Sequence, residues 1–92
     1  MPFASIHNRF ERIVIDEVHT ASVRFPDLVG DNEVLADVAC IALNSVPAHY
    51  IRHDVDASFH ISTADHERDR KAIAAAVHSA LALVQSRRGR RT

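Results

Sequence analysis

Residues 34–50, VLADVACIALNSVPAHY, determine the fold of this chain. Apolar residues recur in the first part of this stretch at intervals of three and four, which indicates one buried face of a helix. Pro47 cannot continue a helix. We therefore predict a helix that is capped by Asp31 or Asn32 and ends near Asn44. The residues of its buried face are Val34, Leu35, Val38, Ile41 and Ala42.

A second amphipathic segment precedes this helix. The same intervals run from Ser5 to about Ala21 and predict a first helix over that stretch. Phe25-Pro26 interrupts the chain after it, so we predict a loop over residues 22–31. The apolar positions of the first helix are Ile6, Phe10, Ile13, Val14, Val18 and Ala21.

The segment after Pro47 is not helical in its pattern. Residues 58–62, SFHIS, alternate polar and apolar side chains as a short strand does. A lone strand needs a partner. The partner is either Tyr50-Ile51-Arg52 or the same segment in a second subunit.

A third, long helix completes the predicted fold. It begins at a cap on Thr63 or Asp65 and ends at Gly89. Its buried stripe consists of Ile73, Val77, Ala80, Leu81 and Val84. We therefore predict a mostly α fold, with three main helices and a short β segment between helices 2 and 3, assembled as a homodimer.

The length of 92 residues permits one small domain, whose core alone is marginal. Residues 1–86 are predicted to form it, and residues 87–92, RRGRRT, a basic and disordered tail. Cys40 is the single cysteine, so a disulfide within the chain is excluded, and its apolar surroundings predict a buried thiol. Self-association is then the simplest further source of stability.

The composition, with 47% apolar and 25% charged residues, is that of a soluble globular protein. No apolar run reaches the roughly 18 residues of a membrane span, and the first residues do not resemble a signal peptide, so we expect a cytoplasmic protein. The net charge is -1, but four arginines lie in the tail, so the rest of the chain is acidic. Such an acidic body is unsuited to binding nucleic acid.

Four polar residues lie next to the predicted apolar faces. Asn8 and Glu11 are three apart on the first helix and can cap it, bind a ligand, bridge subunits or simply face solvent. Asp37 and Asn44 lie on the second helix. We expect Asn44 to cap the end of that helix and Asp37 to hold the loop after Pro47, because buried polar groups require hydrogen bonds.

These positions together resemble the signature of the ComFB family, which is named from late competence development in bacteria. The resemblance rests on Asn8-x-x-Glu11-x-x-Val14, Asp37-Val38 and Ala42-Leu43-Asn44-x-Val46-Pro47-x-x-Tyr50. It implies a mostly helical homodimer and a receptor for a cyclic dinucleotide second messenger, either cyclic di-GMP or cyclic di-AMP. It further implies signalling to a protein partner of unknown identity, without catalysis and without a cofactor.

Two features depart from the family pattern. Several relatives carry clustered cysteines ahead of the second helix that can hold zinc, whereas residues 22–33 contain none. A site of four cysteines is therefore excluded. The double proline of the family is Pro47-Ala48 in this chain.

A cyclic dinucleotide requires cations for its two phosphates and partners for its bases. The stretch Tyr50, Arg52, His53 and Asp54 supplies an aromatic ring, a guanidinium and a carboxylate, and it is the leading candidate for the binding site.

A second cationic group, which includes Arg68 and Lys71, lies at the start of the third helix. Free amides in the first turn of a helix also attract anions. Acidic residues are interleaved with these cations, however, so the alternative is a solvated face whose charges compensate one another.

Two other functions remain as alternatives. His49, His53 and His60 are close together in the sequence and can suggest a metal site, although their spacing matches no recognised motif. No nucleophile elbow, phosphate loop or zinc-protease motif is present, so we expect no enzyme activity. The alternative to a receptor is a ligand-free dimeric regulator that acts through protein–protein contacts.

Overall fold

The computed structural model describes residues 2–52 and 63–89. A short 3-10 turn, Pro2–Ser5, is followed by strand β1 (His7–Asn8) and helix α1 (Phe10–Ser22). Helix α2 spans Asn32–Ser45, strand β2 spans Tyr50–Ile51 and helix α3 spans Thr63–Gly89. The predicted fold class, three helices with a short β segment between the second and the third, is confirmed.

The three helices pack against one another in all three pairs and enclose one core. The predicted stripes supply most of that core, because residues three and four apart share a helix face. The buried helical apolar residues are Phe10, Val14, Val18, Leu35, Val38, Ala39, Ala42, Ile73, Val77, Ala80 and Leu81. Within residues 2–52 and 63–89, none of the helices combines the length and apolar character that a bilayer crossing requires.

The loop between α1 and α2 also contributes to the core. Phe25 and Leu28 are buried. The Phe25 ring packs edge-on against the His78 ring, with 5.8 Å between the ring centres. Gly30 has a φ of 85°, a conformation that side chains disfavour, and it lets the chain turn into α2. Asp31 then caps α2 by accepting a hydrogen bond from the Val34 amide, as predicted.

The C-terminal end of α3 is fastened to the same loop. Arg88 forms an ion pair with Asp31 at 3.3 Å and donates a hydrogen bond to the carbonyl oxygen of Asp27 at 3.1 Å. Arg87 and Arg88 form part of the last turn of α3, where basic side chains suit the negative end of the helix dipole. The division into a domain over residues 1–86 and a tail over residues 87–92 stays a prediction. Residues 90–92 of the predicted tail lie outside the described residues.

Helix α1 begins later than predicted. It starts at Phe10 rather than near Ser5, and Ile6 and Ile13 of its predicted apolar face are exposed instead of buried. The residues just before the helix are extended, because His7 and Asn8 pair with β2 in an antiparallel ladder. An apolar residue at the right interval from a helix does not by itself extend that helix.

The sequence did not predict strand β1 or its pairing with β2. In the described part of the chain, the partner of Tyr50 and Ile51 is β1, with His7 opposite Ile51 and Asn8 opposite Tyr50. The two alternatives given above concern the partner of residues 58–62, and they stay predictions. The predicted strand over residues 58–62 lies outside the described residues.

The prediction of a buried thiol is wrong, because Cys40 is exposed. Cys40 lies two residues from both Val38 and Ala42, which places it about 200° around the helix from each at roughly 100° per residue. Val38 and Ala42 point into the core, and Cys40 therefore points away from it.

Candidate functional site

Asn8 joins the start of α1 to residues 48–52, which follow Pro47 and are called the post-proline segment. The place where the two meet is called the junction. Its buried side-chain oxygen Oδ1 accepts hydrogen bonds from the Phe10 amide and from the His49 amide, both at 3.2 Å. The Asn8 amide in turn donates to a carboxylate oxygen of Glu11 at 3.3 Å. The Asn-x-x-Glu pattern is therefore a reciprocal helix cap, and one of its two residues also holds the post-proline segment.

Arg9 extends this junction to α3. Its amide donates to the carbonyl oxygen of His49 at 2.7 Å, and its Nε donates to Nδ1 of His49 at 3.0 Å. Its Nη2 forms an ion pair with Asp69. The side chain is 7% exposed, and its guanidinium carbon lies 4.4 Å from the centre of the Phe10 ring, within range of a cation–π contact. Arg9 thus links α1, the post-proline segment and α3.

A cavity of about 410 Å³ opens beside this junction. Its polar walls combine two guanidinium groups with two carboxylates, and its aromatic wall is the edge-on pair of Phe10 and His49, whose ring centres are 6.4 Å apart. Guanidinium groups bind phosphate or carboxylate oxygens in pairs of hydrogen bonds, and rings offer faces to a base. The lining residues are Arg9, Phe10, Val46, Pro47, Ala48, His49, Asp65, Arg68, Asp69, Ala72 and Ile73.

The predicted ligand residues divide into three groups. Arg68 lines the cavity at its exposed rim. Tyr50, Arg52 and Lys71 are exposed and lie outside the lining of the cavity. His53 and Asp54 lie outside the described residues.

The charges at the start of α3 compensate one another, as the alternative interpretation predicted. Arg68 pairs with Asp65, and Arg70 pairs with Glu67 at 3.0 Å, each three residues apart on the helix. Lys71 is exposed beside them. Exposed pairs of this kind contribute little stability, about 0.3–0.5 kcal/mol each.

The roles predicted for Asp37 and Asn44 are wrong. Asn44 is exposed, α2 continues past it to Ser45, and within the described residues its side chain makes no hydrogen bond. Asp37 is exposed in the middle of α2, in a cleft with Arg87 and Arg88, and within the described residues its side chain makes no hydrogen bond. Asn8, and not Asp37, holds the loop after Pro47, through its hydrogen bond from the His49 amide.

Pro47 has the predicted effect on the backbone. Val46 before it is extended, with φ of -116° and ψ of 151°, because a residue that precedes proline is pushed away from helical geometry. The chain then crosses to β1, where the His49 backbone meets Asn8 and Arg9. The motif thus shapes the wall of the cavity.

The family model for the late competence development protein ComFB matches residues 7–88. The chain belongs to the ComFB family. No curated protein and no solved structure gives a significant match. In this ComFB domain the motif residues Asn8, Glu11 and Pro47 have structural roles at the junction, and they position other residues to line the cavity.

Arg9, His49 and Asp69 form the centre of the site, and the sequence interpretation did not assign them to it. Their contacts span 40 and 60 residues of chain, respectively, and no local period or motif indicates such distant pairings. The one available signal was the position of Arg9 directly after the motif residue Asn8.

The metal alternative finds no support in the described part of the chain, where no three His, Cys, Asp or Glu side chains cluster as metal ligands do. His49 accepts the hydrogen bond from Arg9. His53 and His60 lie outside the described residues.

A second surface, the α1–α2 groove, lies away from this cavity. It has a volume of about 430 Å³ and is mostly apolar. Glu11, Ile15 and His19 contribute its α1 side at intervals of four. Val18, which is buried, lies at the base of the groove. The α2 side consists of Asn32, Leu35, Ala36, Ala39, Cys40 and Leu43.

The two asparagines of the motif provide a matched test of these roles. Asn8→Ala leaves the buried Phe10 amide and the part-buried His49 amide without their acceptor, and we expect the free energy of unfolding to fall by about 2–3 kcal/mol. Asn44→Ala, at an exposed position, should change it by less than about 0.5 kcal/mol. Urea unfolding monitored by circular dichroism measures both. Equal losses in the two variants would contradict the assigned role of Asn8.

Proposed function

We propose that this ComFB domain is a cytoplasmic receptor for a cyclic dinucleotide, cyclic di-GMP or cyclic di-AMP, and that it binds the ligand without catalysis. The observation that supports this function is the cavity lined by the guanidinium groups of Arg9 and Arg68 and by the rings of Phe10 and His49. Ligand occupancy is passed to a protein partner. No nucleic acid is needed as a partner.

The phosphates of the ligand have two cationic groups to meet. Arg9 is held rigidly by its contacts with His49 and Asp69, while Arg68 lies at the rim, with 74% of its side chain exposed. In the described part of the chain, the Nη1 amino group of Arg9 has no hydrogen-bond partner. A phosphate oxygen is a suitable acceptor for that group, which gives the ligand a first contact with Arg9 before the ion pair with Asp69 changes.

The bases of the ligand require aromatic surfaces and groups that read their edges. His49 offers a ring in the cavity wall, and Tyr50, with 65% of its residue surface exposed, offers another on the neighbouring position of the chain. Arg52 and Lys71 are exposed and available to parts of the ligand that extend beyond the cavity. The assignment of His53 and Asp54 as further ligand-binding residues stays a prediction.

Titration calorimetry of the protein with cyclic di-GMP and, separately, with cyclic di-AMP tests this function. We expect saturable binding at micromolar concentration or tighter for one of them. Arg68→Ala and Arg52→Ala should each weaken that binding by about tenfold or more, because each removes a charge-assisted hydrogen bond.

Arg24→Ala is the matched control. Arg24 is exposed and follows the opposite end of α1, which is about 20 Å long at 1.5 Å per residue. Its removal changes the net charge equally and should leave the affinity unchanged. Absence of binding for both nucleotides, or equal affinity in all three arginine variants, would contradict a receptor site at this cavity.

We propose further that the α1–α2 groove is the homodimer surface. A small domain gains from burying such an apolar surface, and a twofold interface requires a patch that complements itself. The small residues Ala36 and Ala39 on α2 permit close approach of a second helix.

The charges on α1 have the required self-complementarity. Ile15 lies in the middle of the groove, with Glu11 one turn before it and His19 one turn after it. When two copies of α1 cross antiparallel at Ile15, Glu11 of one copy faces the partner's His19. A carboxylate opposite an imidazole is favourable, and the symmetry provides the contact twice.

The same groove supports the second candidate function, a dimeric regulator that acts through protein contacts without a small ligand. This function requires the dimer but not the arginine cavity. The cavity variants and the groove variants therefore separate the two functions.

Light scattering tests the dimer directly. Ile15→Glu places a charge at the centre of the proposed interface and should convert the protein to a monomer, because an unpaired charge cannot be buried there. Val23→Glu is the control, since Val23 is exposed and outside the groove. The interface would be excluded by a wild-type monomer or by an Ile15→Glu dimer.

A further inference from the structure

Both arginines of the cavity already hold an anion that belongs to the protein. Arg9 is paired with Asp69, and Arg68 is paired with Asp65. The two aspartates also line the cavity and lie four residues apart on α3. That spacing places their side chains on one face of the helix, one turn apart.

The Arg9 pair is the more enclosed of the two. The side chains of Arg9 and Asp69 are 7% and 28% exposed, whereas those of Arg68 and Asp65 are 74% and 44% exposed. A guanidinium buried to this extent requires a counter-anion. Carboxylates and phosphates satisfy the same donors of a guanidinium, so a phosphate can take the place of Asp69.

We propose that Asp69, with Asp65 at the rim, is an internal counter-anion that competes with the ligand's phosphates for the two arginines. The site is then held closed by its own carboxylates, and the ligand binds by exchange. This inference rests on the proposed receptor function, and it adds the regulation of that site.

The exchange favours a ligand with two phosphates. Release of Arg9 from Asp69 and of Arg68 from Asp65 each costs an ion pair, and one phosphate compensates for one of them. A second phosphate in the same molecule reaches its arginine at high effective concentration. A mononucleotide should therefore bind far more weakly than a cyclic dinucleotide.

The exchange also couples occupancy to the fold. Asp69 is connected to the post-proline segment through Arg9. Arg9 forms an ion pair with Asp69, and it donates hydrogen bonds to His49 from both its backbone amide and its guanidinium. When a phosphate replaces Asp69, the direct ion pair between α3 and Arg9 is lost, and the ligand then connects α3 to Arg9. A protein partner that reads the position of the start of α3 can sense this change.

Asp69→Asn tests the inference by titration calorimetry with cyclic di-GMP, cyclic di-AMP and the mononucleotides GMP and AMP. Loss of the competing charge should tighten binding of the cyclic dinucleotide by about tenfold. Glu67→Gln is the matched control, because it removes one negative charge from the same helix while its partner Arg70 lies outside the cavity. The control should change affinity by less than about twofold.

Asp65→Asn provides a second variant in case Asp69→Asn fails to fold, because the Asp65 pair is exposed. It should also tighten binding, by a smaller factor. A gain in affinity in either aspartate variant, absent from Glu67→Gln, supports the inference, even where the wild type binds too weakly to measure.

Two outcomes overturn it. If the wild type binds a cyclic dinucleotide and the aspartate variants bind no tighter than Glu67→Gln, the internal counter-anion is wrong and the receptor function stands. If none of the wild type and the three variants binds either cyclic dinucleotide, the receptor function and the inference fail together.

Discussion

The hydrogen bonds of Asn8 and Arg9 with His49 are the constraint on which the rest of the site depends. They fix the start of α1, the direction of the chain after Pro47 and the pairing of β1 with β2. The ion pair of Arg9 with Asp69 then sets α3 against both. The Asn8 side chain and the Arg9 guanidinium are both largely buried, so the loss of a partner leaves their polar groups unsatisfied.

The helices were predictable because their signals are local. The intervals of three and four in the stripes, Asp31 as a cap and Pro47 as a stop each act within a few residues, and the structure agrees with them. The start of α1 was wrong for a nonlocal reason, since residue 7 is extended by a partner more than 40 residues away. Cys40 was wrong because an apolar neighbourhood in the sequence does not distinguish the two sides of a helix.

The candidate site was predictable in its position and less so in its residues. The family motif indicated the post-proline segment, and Arg68 was named from its chemistry alone. Arg9, His49 and Asp69 converge only through tertiary contacts, so no pattern in the sequence revealed them. The motif residues Asn8 and Glu11 have structural roles at the start of α1, so a motif residue need not line the cavity.

We propose that a cyclic dinucleotide binds at the junction of α1, the post-proline segment and α3. Hydrogen–deuterium exchange with and without saturating cyclic di-GMP or cyclic di-AMP tests it most directly, because the method locates the protected backbone amides. Binding at this junction should add protection over residues 7–12, 46–52 and 63–73, with little change in the loop over residues 23–31. Protection confined to that loop or to the α1–α2 groove, with the junction unchanged, would contradict it.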